Sequence, residues 1–401
     1  CRPDCKTGPG KPFKGQGRPI GGAMDNVYVL GGLRSYIGIK NSAYRHVPAE
    51  QLGAAVLKEL AGKYPLHKAD MIIGGNSVGC GGNITRLAAL DAGLPSSIPS
   101  LTIDQQCASS LAAITTAAAM IESGLAGLVI AGGFESTSTQ PLRIHHPNHP
   151  DFTKDCRPYT TARFIPGPQY EDVMLQGAER TICHHHVQKE ELDSWTLISH
   201  QRALRAREDG VLKDVVCPVC GLDMDEGIRP RMSQKLIDRL PPVLKDGRYL
   251  NAANACSMND GAAFILLCSG QYLKDHGLTP RCRLSGAFST GADPLMSPVS
   301  AVASIQQLLE RTHTSMDEIG CVECNEAFAV IDVLFQRAYP DKCSRYNMFG
   351  GALAYGHPYG ASGAIIFLHL MKAMELTGSR KGICSVAAAG GIGTAVLLRS
   401  V

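Results

Sequence analysis

Three residues of this chain stand where chemistry is possible. Cys107 follows the apolar run "SLTID" and opens "CASSLAAITTAAAMIESG", a helix-forming stretch made almost wholly of small side chains. Unpaired amide groups at a helix N-terminus favour negative charge. They lower a thiol's pKa and make a nucleophilic thiolate available near neutrality. A buried structural cysteine is the alternative, because the chain has 15 cysteines. Asn325, in "NEAFAV", is half of a polar pair between apolar runs. Its carboxamide can orient a water or donate to a developing oxyanion, and it equally suits a turn or a helix cap. His357 lies in "GGALAYGHPYGASG", where the glycines allow a ligand to approach the backbone closely. An imidazole held there can act as a general base or pair with a thiolate. A loop histidine without such a role is again the alternative.

The surrounding pattern is of a kind that could carry these residues. From Met24 onward, strand-like runs ("VYVLGG", "ADMIIGGNS", "IPSLTID", "AGLVIAGGFES") alternate with helical ones ("PAEQLGAAVLKELAGKY", "GGNITRLAALDAGL", the Cys107 helix). Such alternation predicts an α/β layered unit with a largely buried sheet. Residues 138–255 break the rhythm with Pro, His and charged residues. They hold one clear helix, "KEELDSWTLISHQRALRAREDG", and are expected to form an insertion over the first α/β unit. Alternation returns after about residue 281. "CASSLAAITTAAAMIESG" running into "GLVIAGGFEST" is echoed by "GASGAIIFLHLMKAMELTG" running into "GICSVAAAGGIGTA", which points to an internal duplication. Small side chains let each of these two helices be buried on every side. The predicted organisation is a flexible leader (1–23), a first half (24–280) with the insertion at about 138–255, and a second half (281–401).

The totals exclude several classes. A chain of 401 residues exceeds what one core usually supports, so two or three packed units are expected. A net charge of +3, with basic residues dispersed among acids, argues against nucleic acid or a charged membrane surface as partner. No stretch is apolar and long enough to span a bilayer, and residues 1–23 lack the apolar core of a secretory signal. An odd, scattered cysteine set reads as reduced thiols in a cytoplasmic protein. "CHHH" (183–186) and "CPVC" (217–220) have zinc-ligand spacing. Adjacent histidines on a helix diverge, however, and nothing brings the two clusters together, so no metal is expected.

Taken together, the motifs resemble the thiolase family. "QQCASSLAA", "GGFESTS", "NDGAA", "NEAFA", "GGALAYGHPYGASGA" and "GGIGTA" occur in the family's order and approximate spacing from Met24 to Val401. The resemblance implies the thiolase fold: two similar βαβαβαββ halves in an α-β-α-β-α layered arrangement, plus an inserted loop domain that usually grips coenzyme A. It implies an acyltransferase with a coenzyme A thioester as substrate, no permanently bound cofactor, and a homodimer or tetramer. Residue by residue, Cys107 matches the cysteine that takes up the acyl group. His357 matches the histidine that activates it and helps bind the thioester oxygen, and Asn325 the asparagine that holds a water there. The backbone amides of Cys107 and Ala389 would form a second oxyanion site. Met174, Cys256 and Met296 fall at positions lining the coenzyme A side.

Two departures stand out. The family's second cysteine precedes its last glycine-rich turn, and aligning on "GGIGTA" puts Ala387 there, with Ala389 replacing a glycine. That cysteine moves the proton at the α-carbon of the acyl acceptor, a task alanine cannot perform. Strand alternation turns Cys384 to the opposite face, and Cys324 is expected to point away likewise. General acid–base catalysis is typically worth about 10²–10⁴-fold, so carbon–carbon chemistry would slow while acyl transfer to Cys107 survives. The remaining Cys-His-Asn set matches the ketoacyl synthase III group, in which decarboxylation supplies the carbanion. A condensing enzyme or acyl transfer to another acceptor is therefore a second expectation, and a non-catalytic acyl-CoA- or lipid-binding relative a third. The second departure is Cys256, which replaces a serine before "NDGAA" in "NACSMNDGAA".

Overall fold

The computed structural model describes residues 24–155, 157–167 and 171–401. The leader expected at 1–23 lies outside the described residues. In the first half, β1 (Val27–Ser35), α1 (Ala49–Ala61), β2 (Met71–Gly75), α2 (Ile84–Asp91), β3 (Ser100–Ile103), α3 (Ser109–Glu122) and β4 (Leu128–Ser136) follow in order. A long excursion carrying α4 (Val173–His184) and α5 (Lys189–Asp209) leads to β5 (Asn259–Ser269). The second half runs β6 (Cys282–Gly291), α6 (Ser300–Arg311), β7 (Cys321–Cys324), α7 (Ala329–Ala338), α8 (Tyr359–Thr377), β8 (Lys381–Ala388) and β9 (Ile392–Arg399).

The strands lie in the order β3-β2-β4-β5-β1-β6-β9-β8-β7. Read outward from the centre, each half places its first strand, its last, its last but one and then its second, so the duplication seen in sequence is repeated in topology. Antiparallel pairing of Tyr28 with Arg283 and Val29 with Cys282 links the two half-sheets at β1 and β6. One element of the expected βαβαβαββ pattern is missing from the second half. Its third strand is reduced to a single bridge, Val322 to Tyr346. The segment is not extended because a 3-10 turn opening on a proline occupies Pro340–Arg345 and Asn347 has a left-handed φ of 42°.

Three apolar clusters define the layers. One packs α1 and α2 on the outer face of the first half through Leu52, Val56, Leu57, Ile84 and Phe134. Another packs α6 and α7 on the second half through Ile305, Leu308, Val330, Ile331 and Leu397. The third holds α3 and α8 between the two inner faces, against Val129, Ala131, Ile265, Cys384, Val386 and Val396. This is the α-β-α-β-α stack that the resemblance implies. Small residues let the central helices nearly touch: a Cβ on Gly363 would lie 2.8 Å from Leu111 N. Ser110 Oγ accepts from Ala364 N at 3.0 Å, tying α3 to α8.

The excursion covers both halves: Val219 and Leu222 join the first-half cluster of α1 and α2, and Arg143 donates to Val78 O and Gly79 O, while its helices lie elsewhere. Helix α5 packs on the second half: Trp195 meets Tyr346 edge-on at 5.4 Å and donates to Gln336 Oε1 at 2.6 Å. Helix α4 packs on the turn Pro294–Val299, where Arg180 donates to Leu295 O at 2.9 Å. The partners of Trp195, the Tyr346 ring and the Gln336 carboxamide, lie on the second half, and local sequence order does not reveal them. A buried pair, Arg34 with Asp225 at 2.8 Å, returns the excursion to β1.

Candidate active site

Cys107 sits on a sharp turn between β3 and α3. Gln106, the residue before it, has φ +53°, a left-handed conformation that costs a non-glycine residue free energy. Polar groups hold the turn in place. Asp104 Oδ1 accepts from Gln106 N at 2.8 Å, Ser109 Oγ accepts from Gln105 N at 2.9 Å, and Ser77 Oγ donates to Gln106 O at 2.8 Å. From the second half, Thr394 Oγ1 donates to Gln105 Oε1 at 3.0 Å. The backbone amides of Ala389 and of Cys107 itself favour the ionised form of the Cys107 sulfur.

These amides do not produce the thiolate expected from the helix terminus. Burial is the larger effect and pushes the Cys107 thiol up to about 12, with Glu135 and Asp104 acting in the same direction. Cys107 lies two residues ahead of α3, whose first residue is Ser109, and helix-terminus effects fall off within the first turn. The resting thiol therefore holds its proton, and ionisation needs a proton acceptor within the site.

His357 is set by its neighbours on both sides. Gly356 has φ +98°, and a Cβ there would come within 2.1 Å of Asn259 Cγ, so only glycine fits. His357 N donates to Asn259 Oδ1 at 3.0 Å. Its Nδ1 is 2.6 Å from Ser362 Oγ, whose own proton goes to Pro358 O at 3.1 Å. The hydroxyl oxygen therefore accepts, Nδ1 carries the hydrogen, and Nε2 is the basic nitrogen. Asn325 Nδ2 lies 3.3 Å from that Nε2. Both side chains are 1% exposed, and burial lowers His357 to about 3.

Asn325 leaves β7 with its N–H on Ser385 O at 3.0 Å. The turn after it is gripped by Asn347, whose Nδ2 donates to Cys324 O at 3.0 Å and to Glu326 Oε1 at 2.8 Å. Ser199 of α5 donates to the other Glu326 oxygen. The excursion thus buttresses the asparagine as well as covering it.

Asn325 and His357 are in direct contact, and Tyr359 beside His357 feels the charge of Cys107. The Tyr359 ring lies edge-on to His357 at 5.0 Å, and its phenol is raised first by burial and then by the charges of Cys256 and Cys107. Met174 packs, with Cys256, against the apolar cluster of the second half. Met296 lies on the turn that carries α4, at a kink with φ −133°.

Several residues in this arrangement were not singled out from sequence. Glu135, at the end of β4, accepts from Ser77 N at 3.0 Å, Val78 N at 3.2 Å and Gly360 N at 2.9 Å, and so binds the loop after β2 to the start of α8. Burial raises its carboxyl to about 7 despite these amides. Ser362 and Tyr359 follow His357 within the quoted glycine-rich motif, but nothing in the spacing distinguishes them from packing residues.

Ala387 is buried in the apolar cluster of the second half, beside Ile383 on β8. Cys384 lies with Val386 and Ala388 on the other face, in the central cluster, as alternation requires. Cys324 keeps company with Asp332 and Tyr346 rather than with Cys107. Among the described residues, the one metal-like cluster joins neither "CHHH" nor "CPVC"; it is His145, His149 and Asp151. The two imidazoles stack at 4.2 Å and 13°, with one nitrogen of each and a carboxylate oxygen of Asp151 within 4.8 Å of one another, and Asp151 is paired with Arg163. An open cleft of about 510 Å³ lined by Gln306, His313 and Tyr339 contains none of the site residues.

Comparison with known proteins extends the geometry. Residues 27–271 match the family described as "Thiolase, N-terminal domain", and residues 278–400 match "Thiolase, C-terminal domain". VraB of Staphylococcus aureus is 33% identical over 380 residues, 93% of this chain and 99% of that protein. YhfS of Bacillus subtilis is 33% identical over 375 residues, 93% and 98% of the two chains. Both carry names that describe an acetyl-CoA C-acetyltransferase. Among solved structures, the acetyl-CoA acetyltransferase of Bacillus anthracis superposes with a TM-score of 0.86 at 30% identity, covering 94% of this chain and 100% of that one. Human mitochondrial 3-ketoacyl-CoA thiolase, solved also in complex with CoA, reaches 0.86 at 29% identity and covers 94% of this chain.

Proposed function

The chain belongs to the thiolase family and is an acyltransferase; from that premise we propose that it acts on coenzyme A thioesters through an acyl-Cys107 intermediate. What supports this reading is that the Cys107 turn is tied to the opposite half, Thr394 Oγ1 donating to Gln105 Oε1 at 3.0 Å, and that the amides of Cys107 and of Ala389 favour the ionised sulfur. Donors placed there stabilise the oxyanion formed when the sulfur adds to a thioester carbonyl. His357 Nε2 takes the thiol proton, and Asn325 holds the imidazole and a water on the acceptor side. Ser362 keeps the basic nitrogen turned into the site. Thiol and imidazole are both driven towards their neutral forms by burial, so the charged pair is expected only once substrate excludes water and supplies the carbonyl. Met174, Cys256 and Met296 would border the pantetheine arm, for which a narrow apolar passage with few polar groups suffices. A cytoplasmic homodimer or tetramer belongs to the same reading, checked by fractionation and light scattering. Among the described residues no helix is long and apolar enough to cross a membrane.

Ala387 favours a second reading, condensation of the ketoacyl synthase III kind or transfer to a non-CoA acceptor. Alanine has no proton to move, so a carbanion would come from decarboxylation or an acidic acceptor. Product analysis with acetoacetyl-CoA beside malonyl thioesters separates the two, with Ala387→Cys as the comparison. Tight acyl-CoA binding without any Cys107 adduct would favour a non-catalytic relative instead.

A further inference from the structure

We propose that Cys256 moves the proton at the α-carbon during carbon–carbon bond cleavage and formation, from the loop ahead of β5 instead of the strand that carries the family's second cysteine. The proposal rests on the acyl-Cys107 reading. Its basis is the path of the segment from Asn254 to Asn259, which threads between the two catalytic loops. On one side Ala329 N donates to Asn254 O at 2.9 Å, Ala255 bridges Phe328, and Cys256 N donates to Ala327 O at 3.0 Å. On the other side Ser257 O accepts from His357 N at 3.3 Å, and Met258 bridges His357. Cys256 is therefore pinned between the turn that carries Asn325 and the loop that carries His357.

Its surroundings fit the role. Cys107 and Cys256 are both half-buried, whereas Cys268, Cys282, Cys321, Cys324 and Cys384 are closed off. The charge of Cys107 is felt by the Cys256 thiol, and both are felt by the Tyr359 phenol, whose ring lies edge-on to His357 at 5.0 Å. Cys256 packs against the apolar cluster that contains Ala387. Burial and then the Cys107 charge raise its thiol, so it enters the cycle protonated, as a donor must.

In the cleavage direction the step balances as follows. Cys107, its proton passed to His357, adds to the 3-oxo carbon of a 3-oxoacyl thioester. The bond between C2 and C3 breaks and its electron pair stays on C2 of the departing enolate. The Cys256 S–H gives its proton to C2, releasing a shortened thioester and leaving a Cys256 thiolate. That thiolate takes the proton of the incoming coenzyme A thiol, whose sulfur then attacks acyl-Cys107. The departing Cys107 sulfur recovers its proton from His357.

The test compares wild type, Cys256→Ala, Cys256→Ser and the double variant Cys256→Ala with Ala387→Cys. Three rates are measured on the full chain: acylation of Cys107 by acetyl-CoA, thiolysis of acetoacetyl-CoA, and deuterium uptake into the methyl group of acetyl-CoA in heavy water. In both single variants thiolysis and deuterium uptake should fall about 10²–10⁴-fold relative to the acylation rate. The double variant should recover them. Serine keeps the packing, so a loss in Cys256→Ser is not a folding effect. An unchanged ratio in Cys256→Ala, or a wild type that acylates Cys107 but neither cleaves nor exchanges, would overturn the proposal. A wild type that never acylates Cys107 would refute the acyl-transfer reading itself, and this proposal with it.

Discussion

Replacing Gly363 with alanine tests whether the contact between the two central helices positions the site. In an exposed helix this change stabilises by about 1 kcal/mol, since alanine is the better helix former. Here the new Cβ would lie 2.8 Å from Leu111 N, 2.9 Å from Leu111 Cβ and 3.0 Å from Ser110 Oγ. Ordinary contacts are about 3.5–4.0 Å, so α3 and α8 must separate by about 0.5–1 Å. Overpacking of this kind costs about 1–3 kcal/mol, for a net loss of about 0–2 kcal/mol. The same displacement moves His357, ahead of α8, relative to Cys107, ahead of α3. A misplacement of about 1 Å can cost about 100-fold in rate. Denaturant unfolding and single-turnover acylation by acetyl-CoA should therefore show a modest stability loss with a disproportionate rate loss. A more stable protein that acylates at the wild-type rate would refute the reasoning.

Ser362→Ala removes the acceptor of the buried His357 Nδ1–H, at a cost of about 1–3 kcal/mol. Acylation should slow about 5- to 150-fold with an altered pH profile, and an unaltered profile would deny the tautomer assignment. Glu135 titrates near 7 in the folded protein against 4.5 for a free glutamate. A raised carboxyl contributes stability that is complete below pH 4.5 and is lost as pH rises through 7. Wild-type stability minus that of Glu135→Gln should fall by about 3 kcal/mol across this window, and urea titrations giving a constant difference would contradict it. Dialysis against a chelator should leave Cys107 acylation unchanged, because Asp151 is committed to Arg163 and the neighbouring imidazoles stack; inhibition reversed by added zinc would show otherwise.

The fold was legible because its elements are locally marked. Apolar runs ending in Gly-Gly and helices of small residues need little tertiary context to be recognised, and their repetition exposed the two halves. Cys107, Asn325 and His357 could be singled out as candidates because each sits at a boundary between such elements, and their proposed roles come from the resemblance. The lost third strand of the second half was not legible, since the left-handed Asn347 depends on its bonds to Cys324 and Glu326. The state of the Cys107 thiol was misjudged for a related reason. Helix position is visible in sequence, but the desolvation that outweighs it is set by residues far along the chain. Glu135 escaped notice because its amide partners, Ser77, Val78 and Gly360, come from two distant loops.

The central claim is that an acyl group rests on one particular sulfur. Incubation with acetyl-CoA followed by mass spectrometry of the digested protein measures it directly. One acetyl group should appear on the peptide containing Cys107, slowed in His357→Ala and absent in Cys107→Ala. A protein left unmodified, or an adduct found instead on an exposed thiol such as Cys80, would contradict the account.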